Sequence, residues 1–306
     1  FIMLRRILNN NMIINDKKHE ENQYINLIND ILNKNKKFCG RNGSTYAIFG
    51  TIMHFSLENN KIPFLTTKKL AWKTCLKELL FFIRGDTDNN ILNDQSVHIW
   101  DGNSDPEYLK TRNLDYINGE LGPIYGFQWR HYNAEYNDCK TDYSGCGIDQ
   151  LQDIINTLKD PNKRNSRRLI LTAWNPCQLD KMALPPCHVL CQFNITDNNK
   201  LSCHLYQRSG DVGLGVPFNI ASYSMLTYIL ARHCDLEPYE FIYSLGNAHI
   251  YDDHVDDLRE LITRTPYEFP DFKVLNRHEN INDYVIDDFE LTNYNFNNII
   301  NLNMRK

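Results

Sequence analysis

Paired cysteines are missing from this chain. Its 306 residues include nine cysteines, an odd number, standing singly at 39, 75, 139, 146, 177, 187, 191, 203 and 234 with no C-x-x-C among them. A zinc ribbon or a disulfide framework needs tight, paired spacings, so neither is expected. The pattern leads us to expect a reducing, cytoplasmic setting with mostly buried thiols. No apolar run approaches the ~18–20 residues of a membrane span. The opening "FIMLRRILNNNMII" has no apolar run longer than four and no small-residue cleavage site, which argues against a secretory signal. Basic charge is not in excess either. Lys and Arg number 33 against 38 Asp and Glu, a net charge of −5, so no global field attracts nucleic acid or an anionic membrane. An anionic ligand must be held by a local basic cluster. There is no internal repeat and no linker that divides the chain.

What is present is ordinary globular material, 42% hydrophobic and 23% charged. Residues 1–18 read as a loosely ordered arm and 19–306 as one domain. Tyr24, Leu27, Ile28, Ile31 and Leu32 recur at helical spacing. "TYAIFGTIMHFSL" is strand-like. "LAWKTCLKELLFFIRG", 70–85, is a helix stopped by Gly85. Residues 101–147 read as loop-rich, and "IDQLQDIINTLKD" as a short amphipathic helix. "RRLILTAW", "HVLCQFNI" and "KLSCHLYQR" have strand length or alternation. "PFNIASYSMLTYILARHC", 217–234, is a long apolar helix opened by Pro217. A strand "EFIYSL", a charged helix near 251–264 and short terminal strands follow. The sum is an α+β domain with a substantial sheet.

Several residues stand out chemically. In "ALPPCHVLCQF", Cys187 follows two prolines that forbid a helix there. It is open to four readings: metal ligand, disulfide half, nucleophile or buried start of a strand. His188 points to the opposite strand face and is a poor base for it, and Cys191 reads as core. Ala71, Cys75, Glu78 and Phe82 share one helical flank, so Glu78 is expected to be partly buried, either ion-paired or functional. Arg167–Arg168, Arg208–Ser209 and Arg41 offer guanidinium forks and a hydroxyl that suit phosphate, although each alone also suits a solvated surface. Asn219 lies in the first turn of the long helix, where its amide can both donate and accept, as the O4 and N3–H edge of uracil requires. In "NAHIYDDH", His249 and Tyr251 share a side. No third ligand accompanies His249 and His254, so no metal is expected.

"ALPPCH", "YQRSGDVGLGVPFNIASY", "GNAHIY", "LGPIYGFQWRH", "SRRLILTAWN", "KELLFFIRGDT" and "PFLTTKKL" resemble the thymidylate synthase family across nearly the whole chain and at suitable separations, the stretch around Arg208–Tyr223 most specifically. The resemblance implies a large mixed sheet packed against helices, with one sheet face forming a homodimer interface. It implies reductive methylation of 2′-deoxyuridylate (dUMP) by the co-substrate 5,10-methylenetetrahydrofolate, with no metal and no nicotinamide at this site. By matched position, Cys187 would be the nucleophile, Glu78 and Tyr125 would serve proton transfers, and the arginines would favour the thiolate. Arg41, Arg208 and Ser209 would hold the phosphate from one subunit, and Arg167 and Arg168 from the other. Asn219 would read the base, while His249 and Tyr251 would bind the deoxyribose. Asp211 would bond the pterin. Ile99, Trp100, Leu184, Leu214, Gly215 and Phe218 would line the folate, and Lys68 would meet its glutamyl carboxylate.

The family usually ends in small aliphatic residues that close over bound ligands. Here the end is "NMRK", so the basic Arg305 and Lys306 are expected to disturb closure. Residues 133–147 form an added segment to which the sequence assigns no function. The start, which is Phe and not Met, resembles the junction before the synthase half of fused dihydrofolate reductase–thymidylate synthases, so a reductase upstream is expected. Three rival readings remain. They are a cytidylate hydroxymethylase of the same fold (for which Asp would suit position 219 better), a cysteine hydrolase, and an RNA-binding regulator, which the net charge disfavours.

Overall fold

A computed structural model of the chain describes residues 19–34, 36–40, 43–197 and 199–305. The expected arm 1–18, Arg41 and Lys306 lie outside the described residues. The chain opens with helix α1 (Asn22–Lys34), whose buried stripe is Tyr24, Ile25, Leu27, Ile28 and Ile31. Strands β1 (Lys37–Gly40) and β2 (Gly43–Ser56) pair antiparallel. Helix α2 (Trp72–Arg84) buries Cys75, Leu76, Leu79, Leu80, Phe81, Phe82 and Ile83. Each such apolar side chain contributes about 1.5–3 kcal/mol when fully buried. Gly85 ends α2 at φ +80, a left-handed conformation that favours glycine.

A short helix α3 (Asn90–Asn93) follows, and the stretch read as loop, 101–147, holds three more: α4 (Asp101–Ser104), α5 (Pro106–Thr111) and α6 (Tyr125–His131). In α6 the residues Tyr125 to Trp129 are all buried, so no amphipathic period marks it. Gly126 lets it approach α2, since a Cβ there would lie 2.6 Å from the Phe82 carbonyl oxygen. The added segment folds over α6, with Tyr136 and Tyr143 against Phe127.

Helix α7 (Gln150–Lys159) leads to β3 (Ile170–Thr172), β4 (His188–Thr196) and β5 (Lys200–Asp211). Helix α8 (Gly215–His233) then crosses to β6 (Glu237–Tyr251). It begins two residues before the expected Pro217, because proline is tolerated anywhere in a first turn whose N–H groups lack helical partners. Only Gly215, Phe218 and Arg232 of α8 escape burial. Helix α9 (Val255–Leu261) follows a turn at Asp252–His254, and β7 (Asp271–Val274) pairs with β8 (Phe289–Thr292).

The main sheet has six strands in the order β1-β2-β6-β5-β4-β3. Only β5 and β6 run parallel, with α8 as their crossover, so the sheet is mixed and the domain α+β. One face, which carries Cys191, Phe193, Cys203, Leu205, Phe241 and Tyr243, packs on α8, and α2 packs in turn on α8. Because β5 and β6 are parallel, their C-terminal ends finish together, next to the first turn of α8. Strand ends beside a helix N-terminus favour ligand binding.

Candidate active site

The two prolines before Cys187 cannot donate, but their carbonyls can accept. Arg208 Nε bonds the Pro186 carbonyl at 2.9 Å and Nη2 the Pro185 carbonyl at 3.0 Å. The Arg208 backbone N–H donates to the Cys187 carbonyl at 3.0 Å, and the Cys187 N–H donates to Tyr125 Oη at 2.8 Å. The thiol-bearing turn is thus held from β5 on one side and α6 on the other. The guanidinium carbon lies 5.6 Å from the Trp174 ring, a cation–π distance. Burial pushes the Cys187 thiol up, and this outweighs Arg208 and the Tyr125 bond, which both lower it. The expectation that arginine favours the thiolate is correct in direction for Arg208. Within one chain, however, the net shift is upward, because desolvation is the larger effect.

His188 does not approach the thiol. Its Nε2 meets Asn219 Nδ2 at 2.7 Å, and its ring sits between Tyr125 and Tyr223 at centroid distances of 5.0 and 5.3 Å. Burial lowers its pKa to about 4, so at neutral pH the imidazole is uncharged and its Nε2 accepts from the amide. Tyr243 Oη donates to Gln207 Oε1 at 2.6 Å and lies 3.5 Å from Asn219 Oδ1. These neighbours fix which way the buried Asn219 amide points. One amide hydrogen and an oxygen lone pair remain for a ligand.

Glu78 accepts from Trp100 Nε1 at 2.7 Å, so its partner is an indole and not the lysine or arginine of an ion pair. Burial pushes its pKa up to about 7, against which the Trp100 bond acts only partly. Phe82, Trp100 and Tyr125 pack edge-on or tilted around it, with centroids 5.0–6.2 Å apart.

At the strand ends, Ser209 stands opposite Asn247 and Asp211 opposite His249. Strand β6 is longer than the expected "EFIYSL" and carries His249 and Tyr251 in one line, their rings 5.2 Å apart. Asp211 Oδ1 accepts from the Gly213 and Leu214 N–H groups at 2.8 and 3.3 Å, which shapes the turn into α8. Lys68 is buried, and its Nζ donates to the Gly213 carbonyl. Burial lowers its pKa to about 8. Ile99, Leu184 and Phe218 are partly buried against the core, beside the buried Trp100, so an apolar wall borders the polar cluster.

A model of the thymidylate synthase family matches residues 22–306. The chain belongs to the thymidylate synthase family. A thymidylate synthase of equine herpesvirus 2 is 50% identical over 278 residues, 90% of this chain and 95% of that protein. Bifunctional dihydrofolate reductase–thymidylate synthases of Paramecium tetraurelia and Zea mays are 49% and 48% identical over 94% of this chain, and the match covers 62% and 55% of their lengths. The chain therefore spans little more than half of these bifunctional relatives. The hydroxymethylase and RNA-binding readings find no support in these matches.

In this thymidylate synthase-family chain, one region holds Cys187, Arg208, Asn219, Tyr125, Glu78 and Trp100. Ser209, Asp211, His249 and Tyr251 line the adjoining strand ends. Arg167 and Arg168 are not among them. They are exposed ahead of β3, the far edge of the sheet. Sequence reasoning missed Gln207, Tyr243, Trp174 and the pairing of His188. The available signal was parity, since Gln207 and Tyr243 are polar-tipped residues at core-facing strand positions, where each needs a buried partner.

Proposed function

We propose that this domain performs the reductive methylation of dUMP with 5,10-methylenetetrahydrofolate, giving thymidylate and dihydrofolate. The observation that carries the reading is the Cys187 turn, locked by Arg208 and Tyr125 beside the oriented Asn219 amide. Cys187 adds as thiolate to C6 of the pyrimidine, which makes C5 carbanion-like. The folate supplies the one-carbon unit and then the hydride, so the site needs no nicotinamide. Glu78, with a pKa near 7, holds and releases a proton around O4 of the base and the folate nitrogen. Tyr125 stands beside the removal of the C5 proton. Asn219 reads the uracil edge. Arg208 and Ser209, with Arg41, hold the phosphate, and His249 and Tyr251 hold the 3′ hydroxyl. Asp211 bonds the pterin against Ile99, Trp100, Leu184, Leu214, Gly215 and Phe218. Lys68 turns out from Gly213 to meet the glutamyl carboxylate.

Strand register supports a homodimer. Ile170 pairs with Gln192, so Arg168 falls opposite Asn194, seven residues along β4 from Cys187. At ~3.3 Å per residue that is roughly 20 Å, too far for Arg167 and Arg168 to serve their own chain's phosphate site. The open sheet face carries two aligned rows: Ile170, Gln192, His204, Ile242 and His54, then Thr172, Leu190, Tyr206, Ser244 and Ile52. Ile170, Tyr206 and Ile52 are 44%, 41% and 51% exposed there, an apolar surface suited to a second copy. The match to bifunctional relatives supports a dihydrofolate reductase in the same polypeptide. The unpaired cysteines support a cytoplasmic setting. The test is an absorbance assay for dihydrofolate with dUMP and 5,10-methylenetetrahydrofolate, with Cys187→Ala as the dead control. A folded dimer that forms no dihydrofolate, or that prefers dCMP, would sink the proposal.

A further inference from the structure

The open face of the main sheet carries two histidines among its apolar residues. His204 of β5 and His54 of β2 stand in register on either side of Ile242 of β6. Two strand spacings, roughly 10 Å, separate their backbones. Both are exposed in the single chain, as are Ile170, Ile52 and Tyr206 around them. His204 Nε2 lies 2.8 Å from Ser244 Oγ. A hydroxyl accepts from a charged ring and donates to a neutral one, so Ser244 holds the ring without fixing its charge. Gln23 of α1 bonds the carbonyl and the N–H of His54, which anchors the strand and uses none of the imidazole. Gln192 of β4 and Ile170 of β3 complete the row and carry no charge. One row along in one direction lie Glu240, which accepts from Ser202 Oγ at 3.1 Å, and Glu20, which accepts from the Ser56 N–H at 2.8 Å. Arg168 falls opposite Asn194 in that same row. One row along in the other direction, the titratable group is the Tyr206 phenol.

We propose that His54 and His204 link assembly of the homodimer to protons: two copies associate with these imidazoles neutral, and protonation drives the copies apart. The inference deepens the homodimer reading and rests on it. An isologous interface uses the same patch twice, so four imidazoles leave water together inside one contact. Charging a ring there costs desolvation, and each charged ring repels the others. Both effects already act in the single chain, where burial and then His54 hold the His204 pKa below its usual value. Glu240 and Glu20 lie a row away and are engaged by Ser202 and the Ser56 N–H, while Arg168 adds positive charge on the same face. The dimer therefore binds fewer protons than two separate chains. Its affinity is full above the ordinary histidine pKa of about 6.5 and falls as pH drops through that value. A phosphate site completed by Arg167 and Arg168 of a second copy is lost with it, so acid dilution removes activity through assembly.

The test is the dimer dissociation constant of the fluorescently labelled full chain, measured by sedimentation at about pH 7.5 and about pH 5.5 and at matched ionic strength. Circular dichroism at both values reports whether the chain stays folded. In the wild type the constant should rise on the order of 10²-fold in acid, since each histidine whose pKa falls by about one unit on association contributes up to tenfold. The double variant His54→Gln/His204→Gln should remain dimeric with a constant that stays flat across the two conditions. Each single variant should keep part of the rise. A folded wild-type dimer whose constant ignores pH would overturn the linkage. So would a double variant that keeps the full rise, or a loss of circular dichroism in acid shared by wild type and double variant, which would place the effect in the fold. A chain that is monomeric at about pH 7.5 would instead remove the homodimer reading, and the linkage with it.

Discussion

At Cys187 burial and charge act against each other, and burial is the larger. Arg208 is the chain's own cation there, so its removal should raise the thiol further. Arg208→Gln should lower the alkylation rate of Cys187 near neutral pH about tenfold for each unit of pKa rise. Peptide-resolved mass spectrometry separates this from the exposed Cys39, Cys146 and Cys177. An equal rate in the variant would show that Arg208 only braces the proline carbonyls. Glu78 makes a second residue-scale prediction. Its pKa near 7 lies above the ordinary 4.5, so the folded chain keeps a proton that the unfolded chain releases between those values. Stability contributed by this group is full below about pH 4.5 and is lost as pH rises through 7. Glu78→Gln should flatten the urea midpoint across that window. It should also cut kcat by ~10²–10⁴-fold and erase the pH-profile limb near 7. A variant with the wild-type profile would take the proton-transfer role away from Glu78.

The elements hold these groups at their distances, and α6 is the most constrained. Its Gly126 lies against the Phe82 backbone, while the next residue back, Tyr125, holds the Cys187 N–H. Gly126→Ala should therefore cost about 1–3 kcal/mol of stability by overpacking and also lower kcat/KM by shifting Tyr125. Chemical denaturation with an unchanged m-value, run beside steady-state kinetics, reads both. Loss of neither would mean that α6 can slide on α2. This helix was not legible in the sequence, because burial on all sides removes the polar–apolar period that marks a helix. The flank that buries Glu78 was legible, since its spacing lies within one helix. So was the His249–Tyr251 side, set by strand alternation. Asn219 was legible as an amide near the start of the long helix, but α8 begins at Gly215 and makes it the fifth residue rather than one of the first turn, and its partners were not legible. His188, Gln207 and Tyr243 come from three different strands, and no local pattern records which strands lie side by side.

At the scale of the whole molecule, the question is which chain completes each phosphate site. If Arg167 and Arg168 serve the partner, a Cys187→Ala chain and an Arg167→Ala/Arg168→Ala chain fail for different reasons. In a mixed dimer, the site whose cysteine comes from the arginine variant receives intact arginines from the cysteine variant, and it is complete. The other site lacks both. Refolding the two variants together at equal concentration gives half mixed dimers, so about a quarter of all sites should turn over. If the arginines served their own chain, every site would lack either the thiol or the guanidinium pair, and mixing would restore nothing. The assay is dihydrofolate formation before and after co-refolding, with each variant refolded alone as the baseline. Activity that stays at the sum of the two baselines would overturn the shared site. It would also require β3 and the chain ahead of it to move roughly 20 Å along β4 toward Cys187, a shift that the pairing of Ile170 with Gln192 and Thr172 with Leu190 forbids.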